Sequence, residues 1–211
     1  MKRREWLRSA VAAGAGIPLG LSVIQELAAA PASKAEFEFF KTFKSNPKLV
    51  RLGSNENPYG PSPKAREAIK TSILEGNRYG FESGEELKAM IAAKEGVPVE
   101  QVLVFAGSGE ALAITGLTVG VEGGSILSAW PTFPLMMNFA QKFNARWDKV
   151  NLDANLCHDL DAMAAAVKPD TKILFVVNPN NPTGTTVDPN KLRNFCIEQA
   201  KKTIVYSDEA Y

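Results

Sequence analysis

From about residue 100 onward, short apolar runs alternate with segments whose apolar positions recur every three to four residues. Val102–Ala106, Ser125–Ala129, Arg146–Val150, Lys172–Val177 and Thr203–Ser207 read as strands, being short and rich in β-branched and aromatic residues. Glu110–Val119, Leu135–Phe143, Leu160–Val167 and Pro189–Lys202 read as helices between them. Upstream, Ala65, Ala68, Ile69 and Ile73 share one helical face. Gly84–Lys94 repeats the pattern with Leu87, Met90 and Ile91, and Gly96 is placed to end that helix. Strands separated by helices imply βαβ units. The predicted fold is α/β: a three-layer α/β/α sandwich around a mostly parallel sheet, with helices on both faces.

Composition narrows the function classes. The chain has 211 residues, 45% hydrophobic and 22% charged, which suits a domain with a sizeable core. Its net charge of +1 gives no general field favouring nucleic acid. Cys157 and Cys196 have neither metal-ligand nor CxxC spacing; they read as two thiols, with a disulfide open if the protein is exported. His158 is the single histidine, which excludes a zinc site built on several histidines. It lies near a predicted loop-to-helix boundary, where a surface or capping role is expected.

Residues 1–32 read as an address. Arg3-Arg4 with Trp6 and Leu7 heads an apolar, glycine-containing stretch to Ile24, and Ala28-Ala29-Ala30 and Ala30-Pro31-Ala32 offer cleavage sites. The arginine pair resembles a twin-arginine signal, so export, to the periplasm for example, is expected. The stretch is too short and too rich in glycine for a membrane anchor. Residues 33–60 read as an N-terminal arm, and residues 61–211 as the main domain.

In parallel α/β sheets, ligands bind at the carboxyl ends of strands. Gly107-Ser108-Gly109, the loop from Asn178 to Gly184, and Asp208 each begin where a predicted strand ends, so one shared site is expected. Ser108, Gly109 and Glu110 open a helix, whose N–H groups suit a phosphate; Ser108 as a plain N-cap is the alternative. Two prolines and a glycine stiffen the Asn178–Gly184 loop, and an asparagine amide there can donate to a phenolate. Asp208, at the end of an apolar strand, needs a partner such as a protonated pyridine nitrogen, or serves as a cap. Tyr211 could bond a ring hydroxyl. Phe133 could stack on a ring or simply pack in the core.

Leu52-Gly53-Ser54-Asn55-Glu56-Asn57-Pro58-Tyr59-Gly60-Pro61-Ser62-Pro63, Arg78-Tyr79, Gly107-Ser108-Gly109-Glu110, Pro131-Thr132-Phe133, Asn180-Asn181-Pro182-Thr183-Gly184 and Asp208-Glu209-Ala210-Tyr211 follow a known order and spacing. The chain resembles the fold-type I pyridoxal-phosphate aminotransferases of class I/II, the histidinol-phosphate aminotransferase subfamily above all. The resemblance runs from about residue 48 to the end. It implies pyridoxal 5'-phosphate as cofactor, with Ser108, Gly109 and Glu110 at the phosphate and Phe133 over the ring. Asn181 and Tyr211 would flank the ring hydroxyl, and Asp208 would pair with the pyridine nitrogen. Tyr79 would reach the cofactor phosphate of a partner subunit, implying a homodimer, and Tyr59 would line the substrate pocket. Gly109 stands where an acidic residue is usual, and Gly80 where proline is usual.

The implied reaction moves an amino group between an amino acid, or an amino-phosphate such as histidinol phosphate, and a 2-oxo acid. A decarboxylase or lyase of the same fold is an alternative, as is a non-catalytic remnant. The resemblance places the Schiff-base lysine beyond Tyr211. The 211-residue chain is therefore expected to be an incomplete large domain, poorly soluble and inactive by itself.

Overall fold

The computed structural model describes residues 53–211. The predicted signal of residues 1–32 and most of the predicted arm lie outside the described residues. The chain divides into two compact units, Met1–Gly76 and Asn77–Tyr211. In the first, α1 (Pro63–Ser72) starts where Ser62 accepts the Ala65 N–H at 3.2 Å, with a proline in its first turn, and runs into a 3-10 turn at Ile73–Glu75.

The second unit holds α2 (Phe81–Glu95), α3 (Ser108–Glu122), β1 (Gly124–Trp130), α4 (Leu135–Ala140), β2 (Ala145–Asn151), α5 (Leu160–Ala166), β3 (Thr171–Val177), α6 (Pro189–Gln199) and β4 (Ile204–Asp208). Gly96 ends α2 in the left-handed conformation, at φ 68°, as its place in the sequence predicts. All strand pairs are parallel, in the order β2-β1-β3-β4. Alternate side chains of the central strands enter two cores. Ile126, Ile173, Phe175 and Val177 face Leu112, Met136 and Met137 of α3 and α4, while Leu127, Leu174 and Val176 face Met163 of α5 and Phe195 of α6. The sheet is thus covered on both faces, as the pattern predicts.

The predicted strand Val102–Ala106 does not form. A 3-10 turn at Val99–Gln101 ends at Val102, and an extended segment with no ladder partner follows. Strand propensity becomes a strand only when a neighbouring backbone completes its hydrogen bonds. None does so among the described residues, and Leu103 is 74% exposed.

Two glycines set how α3 meets α4. A Cβ on Gly116 would stand 2.2 Å from the Met136 carbonyl oxygen, and one on Gly120 would stand 2.9 Å from that of Ala140. Only glycine allows this approach. It matters for the site because α3 begins at Ser108 and α4 follows Phe133.

Strand order reverses direction between β1 and β3: the chain steps outward from β1 to β2, then returns to β3 and continues to β4. At such a switch point the loops leaving neighbouring strands diverge and leave a crevice at their carboxyl ends. The loops after β1 and β3 are 131–134 and the segment beginning at Asn178.

Candidate functional site

A cavity of about 130 Å³ opens at this end of the sheet, lined by Ser108, Phe133, Val177, Asn181, Asp208, Ala210 and Tyr211. Of the eight residues predicted for the cofactor, Ser108, Phe133, Asn181, Asp208 and Tyr211 converge here. They come from one helix start and three strand ends.

The helix start is α3. Its N-cap is Gly107, at φ 109° and ψ 159°, a conformation that favours glycine. Ser108 is therefore not the N-cap, because the left-handed turn moves that position one residue earlier. No side chain caps this terminus. The Glu110 carboxylate instead turns back and accepts the Ala106 N–H at 2.8 Å, and the Glu110 N–H bonds the Gly107 carbonyl at 3.2 Å. Glu110 thus shapes the turn that presents Ser108 and does not line the cavity. Gly109 lies in the same first turn, 3.6 Å in Cβ terms from Leu135. A fifteen-residue helix with its amino end open to a cavity offers N–H groups and a positive dipole end to an anion.

At the opposite lining, Asp208 ends β4 and is 6% exposed. Its backbone carbonyl accepts the Asn178 N–H at 3.0 Å, extending the β3–β4 pairing into the loop. Its carboxylate accepts the Ala210 N–H at 3.2 Å, so it caps a short turn and not a helix. No ion pair reaches it among the described residues. Burial pushes the Asp208 carboxyl above the ordinary carboxylate range, and the Ala210 N–H offsets only part of this. A buried acid held in this way suits a cationic ring nitrogen, which would supply the charge the protein withholds. The same burial, with Asp208 nearby, raises the Tyr206 phenol.

Between these ends, Asn181 and Tyr211 meet: the amide donates to the phenol oxygen at 3.1 Å. Phe133 both lines the cavity and packs against the α3–α4 core, so the two readings of this ring are compatible. Tyr79 lies elsewhere, 89% exposed and stacked on Phe81 at 5.4 Å between centroids. Tyr59 belongs to the first unit, 91% exposed, its N–H bonded to Asn57.

His158 is neither a surface residue nor a cap. It is 5% exposed, and its Nε2 lies 2.7 Å from the carbonyl of Val177, the last residue of β3. The cap of α5 is Asp159. Burial lowers the imidazole's affinity for a proton, and Nδ1 has no partner. The apolar residues near His158 in sequence gave no sign of this, because its partner is a backbone carbonyl nineteen positions away. Thr132 and Asn180, buried between the loops, were likewise not read as site residues. Both thiols are free.

A wider groove of about 730 Å³ runs between α5 and α6. Of the acids along it, Asp153 accepts from Asn155 and Cys157, Asp159 from Ala162 and Asp188 from Lys191, while Glu198 pairs with Lys201 at 2.7 Å.

Comparison with known proteins identifies the family. The profile of the family "Aminotransferase class I and II" matches residues 47–211. Histidinol-phosphate aminotransferase 1 of Cupriavidus pinatubonensis is 35% identical over 199 residues, covering 94% of this chain and 53% of that protein. An aromatic amino acid aminotransferase of Cutibacterium acnes is 37% identical over 162 residues, covering 77% of this chain and 46% of its own length. The crystal structure of histidinol-phosphate aminotransferase from Sinorhizobium meliloti, in complex with pyridoxal-5'-phosphate, superposes with a TM-score of 0.72 at 22% identity. It covers 82% of this chain and 47% of that one, a likeness of fold. The chain spans about half the length of the curated relatives it matches. The family profile, matching residues 47–211, and the convergence of its motifs at one cavity place this chain among the class I and II aminotransferases, a family of fold-type I pyridoxal-phosphate enzymes.

Proposed function

We propose that the intact protein is a pyridoxal-phosphate aminotransferase, moving an amino group between an amino acid or amino-phosphate and a 2-oxo acid. The observation that carries this is the pairing of an open α3 amino terminus with a buried Asp208 that has no ion-pair partner among the described residues, across one cavity. A phosphate suits the first and a protonated pyridine nitrogen the second. The bound cofactor supplies an electron sink for the substrate α-carbon. The chain's own residues bind and orient it. The α3 turn would hold the phosphate, Asp208 would keep a proton on the ring nitrogen, Asn181 and Tyr211 would direct hydrogen bonds at the ring hydroxyl, and Phe133 would exclude water from one face.

Relatives named for histidinol phosphate and for aromatic amino acids make those two substrate classes the first to assay. A homodimer, with the exposed Tyr79 reaching a partner's cofactor phosphate, belongs to the same reading; sedimentation equilibrium giving a monomer would remove it. Export through the twin-arginine route rests on Arg3-Arg4 and the segment after them. Retention of Met1 in the exported fraction would contradict cleavage.

The function is tested by titrating the intact apo-protein with pyridoxal 5'-phosphate and comparing D208N. Loss of a charge-assisted contact predicts affinity about 10- to 100-fold weaker for D208N, equivalent to roughly 1.5–3 kcal/mol. Equal affinity for the two proteins would overturn the assignment of Asp208.

A further inference from the structure

The crevice at the switch point is spanned by one side chain. Asn180 is 2% exposed, and each polar atom of its amide is used. Its Oδ1 accepts the Thr132 hydroxyl at 2.8 Å. Its Nδ2 donates to the Pro131 carbonyl at 3.2 Å and to the Thr183 hydroxyl at 2.8 Å. The Pro131 carbonyl can only accept, which fixes the orientation of the amide. Thr132, 4% exposed, is buried with it.

The backbone of Asn180 is held as well. Its N–H bonds the Thr185 carbonyl at 2.9 Å, and its carbonyl accepts the Gly184 N–H at 2.7 Å. The loop after β3 is thereby closed on itself, and the side chain fastens it to the loop after β1. Each loop carries one cavity residue next to the lock: Phe133 follows Thr132, and Asn181 follows Asn180.

We propose that Asn180, with Thr132, is a positioning residue that fixes the face-stacking group (Phe133) against the ring-hydroxyl donor (Asn181) in the cofactor cavity; this rests on the aminotransferase reading above. Neither residue lines the cavity. The lock acts through its neighbours. Loops leaving β1 and β3 are the pair that a switch point lets diverge, so a fixed separation between Phe133 and Asn181 requires a bond across it. A buried network in which every atom is satisfied supplies that rigidity.

The test uses the intact protein and three variants. Asn180→Asp keeps the acceptor for Thr132 but loses both donors. Thr132→Val keeps the shape but loses the hydroxyl. Thr132→Ser keeps the hydroxyl and serves as the rescue. In the apo-protein, amide hydrogen exchange over residues 178–187 should accelerate at least fivefold in N180D and T132V and stay within twofold of the unsubstituted rate in T132S. On titration with pyridoxal 5'-phosphate, N180D and T132V should bind about tenfold more weakly. Their visible circular dichroism per bound cofactor should change, while T132S keeps both properties. A lowered unfolding midpoint with unchanged dichroism and exchange would reduce Asn180 to a stabilising residue and overturn the proposal. So would a T132S variant as impaired as T132V. Should the unsubstituted protein take up no cofactor, the aminotransferase reading itself fails, and the positioning role with it. Normal uptake by all four proteins overturns the lock alone.

Discussion

Asn181 donates a hydrogen bond from Nδ2 to the Tyr211 phenol oxygen at 3.1 Å, joining the loop after β3 to the segment after β4. The two groups expected around a ring hydroxyl are thus preassembled, each holding the other's direction. Replacing Tyr211 with Phe removes the oxygen and frees the Asn181 amide. Tyr211 is more than half exposed, so the fold should lose little. Cofactor affinity should fall roughly three- to tenfold, corresponding to about 0.7–1.4 kcal/mol. Fluorescence titration of the intact Y211F protein checks this, and a loss of stability without a loss of affinity would speak against it.

Asp208 should cost the apo-protein stability. Its folded pKa lies above the ordinary carboxyl value of 3.8. Between these values the native state keeps a proton that the unfolded chain has released, so stability falls as pH rises through that window. Above it the whole penalty persists. Apo D208N should therefore lack this pH dependence and be more stable at pH 7, by on the order of 1 kcal/mol. Urea unfolding of both apo-proteins from pH 3 to pH 8 measures it. A wild-type protein that instead gains stability on ionisation of Asp208 would contradict the assignment.

The opposite slope is expected from His158. Burial lowers its pKa from the ordinary 6.5. The neutral ring donates from Nε2 to the Val177 carbonyl, and a second proton would sit on Nδ1 with no acceptor. The native state then binds fewer protons than the unfolded chain below pH 6.5. Its contribution is complete above that pH and is lost as pH falls through the folded value. His158→Leu should flatten this part of the profile and cost about 1–2 kcal/mol at pH 7 through the lost carbonyl bond. A profile unchanged by the substitution would rule it out.

Gly116→Ala should be costly, because its Cβ would stand 2.2 Å from the Met136 carbonyl oxygen and force α3 from α4. Overpacking of this kind costs about 1–3 kcal/mol. Gly109→Ala meets Leu135 at an ordinary 3.6 Å and should leave apo stability within about 0.5 kcal/mol. Thermal unfolding of the two variants side by side distinguishes a packing requirement from a general intolerance of helix α3 to alanine.

Much of this architecture was legible in the chain. The four strands of the sheet fall within a residue or so of their predicted bounds; the central β1 and β3 are buried, mainly apolar runs with sharp ends, and the edge strands β2 and β4 are bounded by the turns and helices beside them. Phe133, Asn181, Asp208 and Tyr211 were legible as one site because they lie at or just beyond strand ends, and Ser108 because it opens a helix after a run of strand-like composition. Three features were not. Val102–Ala106 has strand composition, but the partner that makes a strand is not encoded locally. Gly107 takes the cap that was the alternative role for Ser108, because a φ of 109° shifts the helix start by one residue. His158 and Asn180 act through backbone and side-chain partners far along the chain, and no period or motif reports such partners.

The most direct measurement is a structure of the intact protein crystallised with pyridoxal 5'-phosphate. The account predicts the phosphate against the N–H groups that open α3 at Ser108, and the pyridine nitrogen within hydrogen-bonding distance of the Asp208 carboxylate. A cofactor bound elsewhere, or one whose ring nitrogen faces away from Asp208, would contradict it.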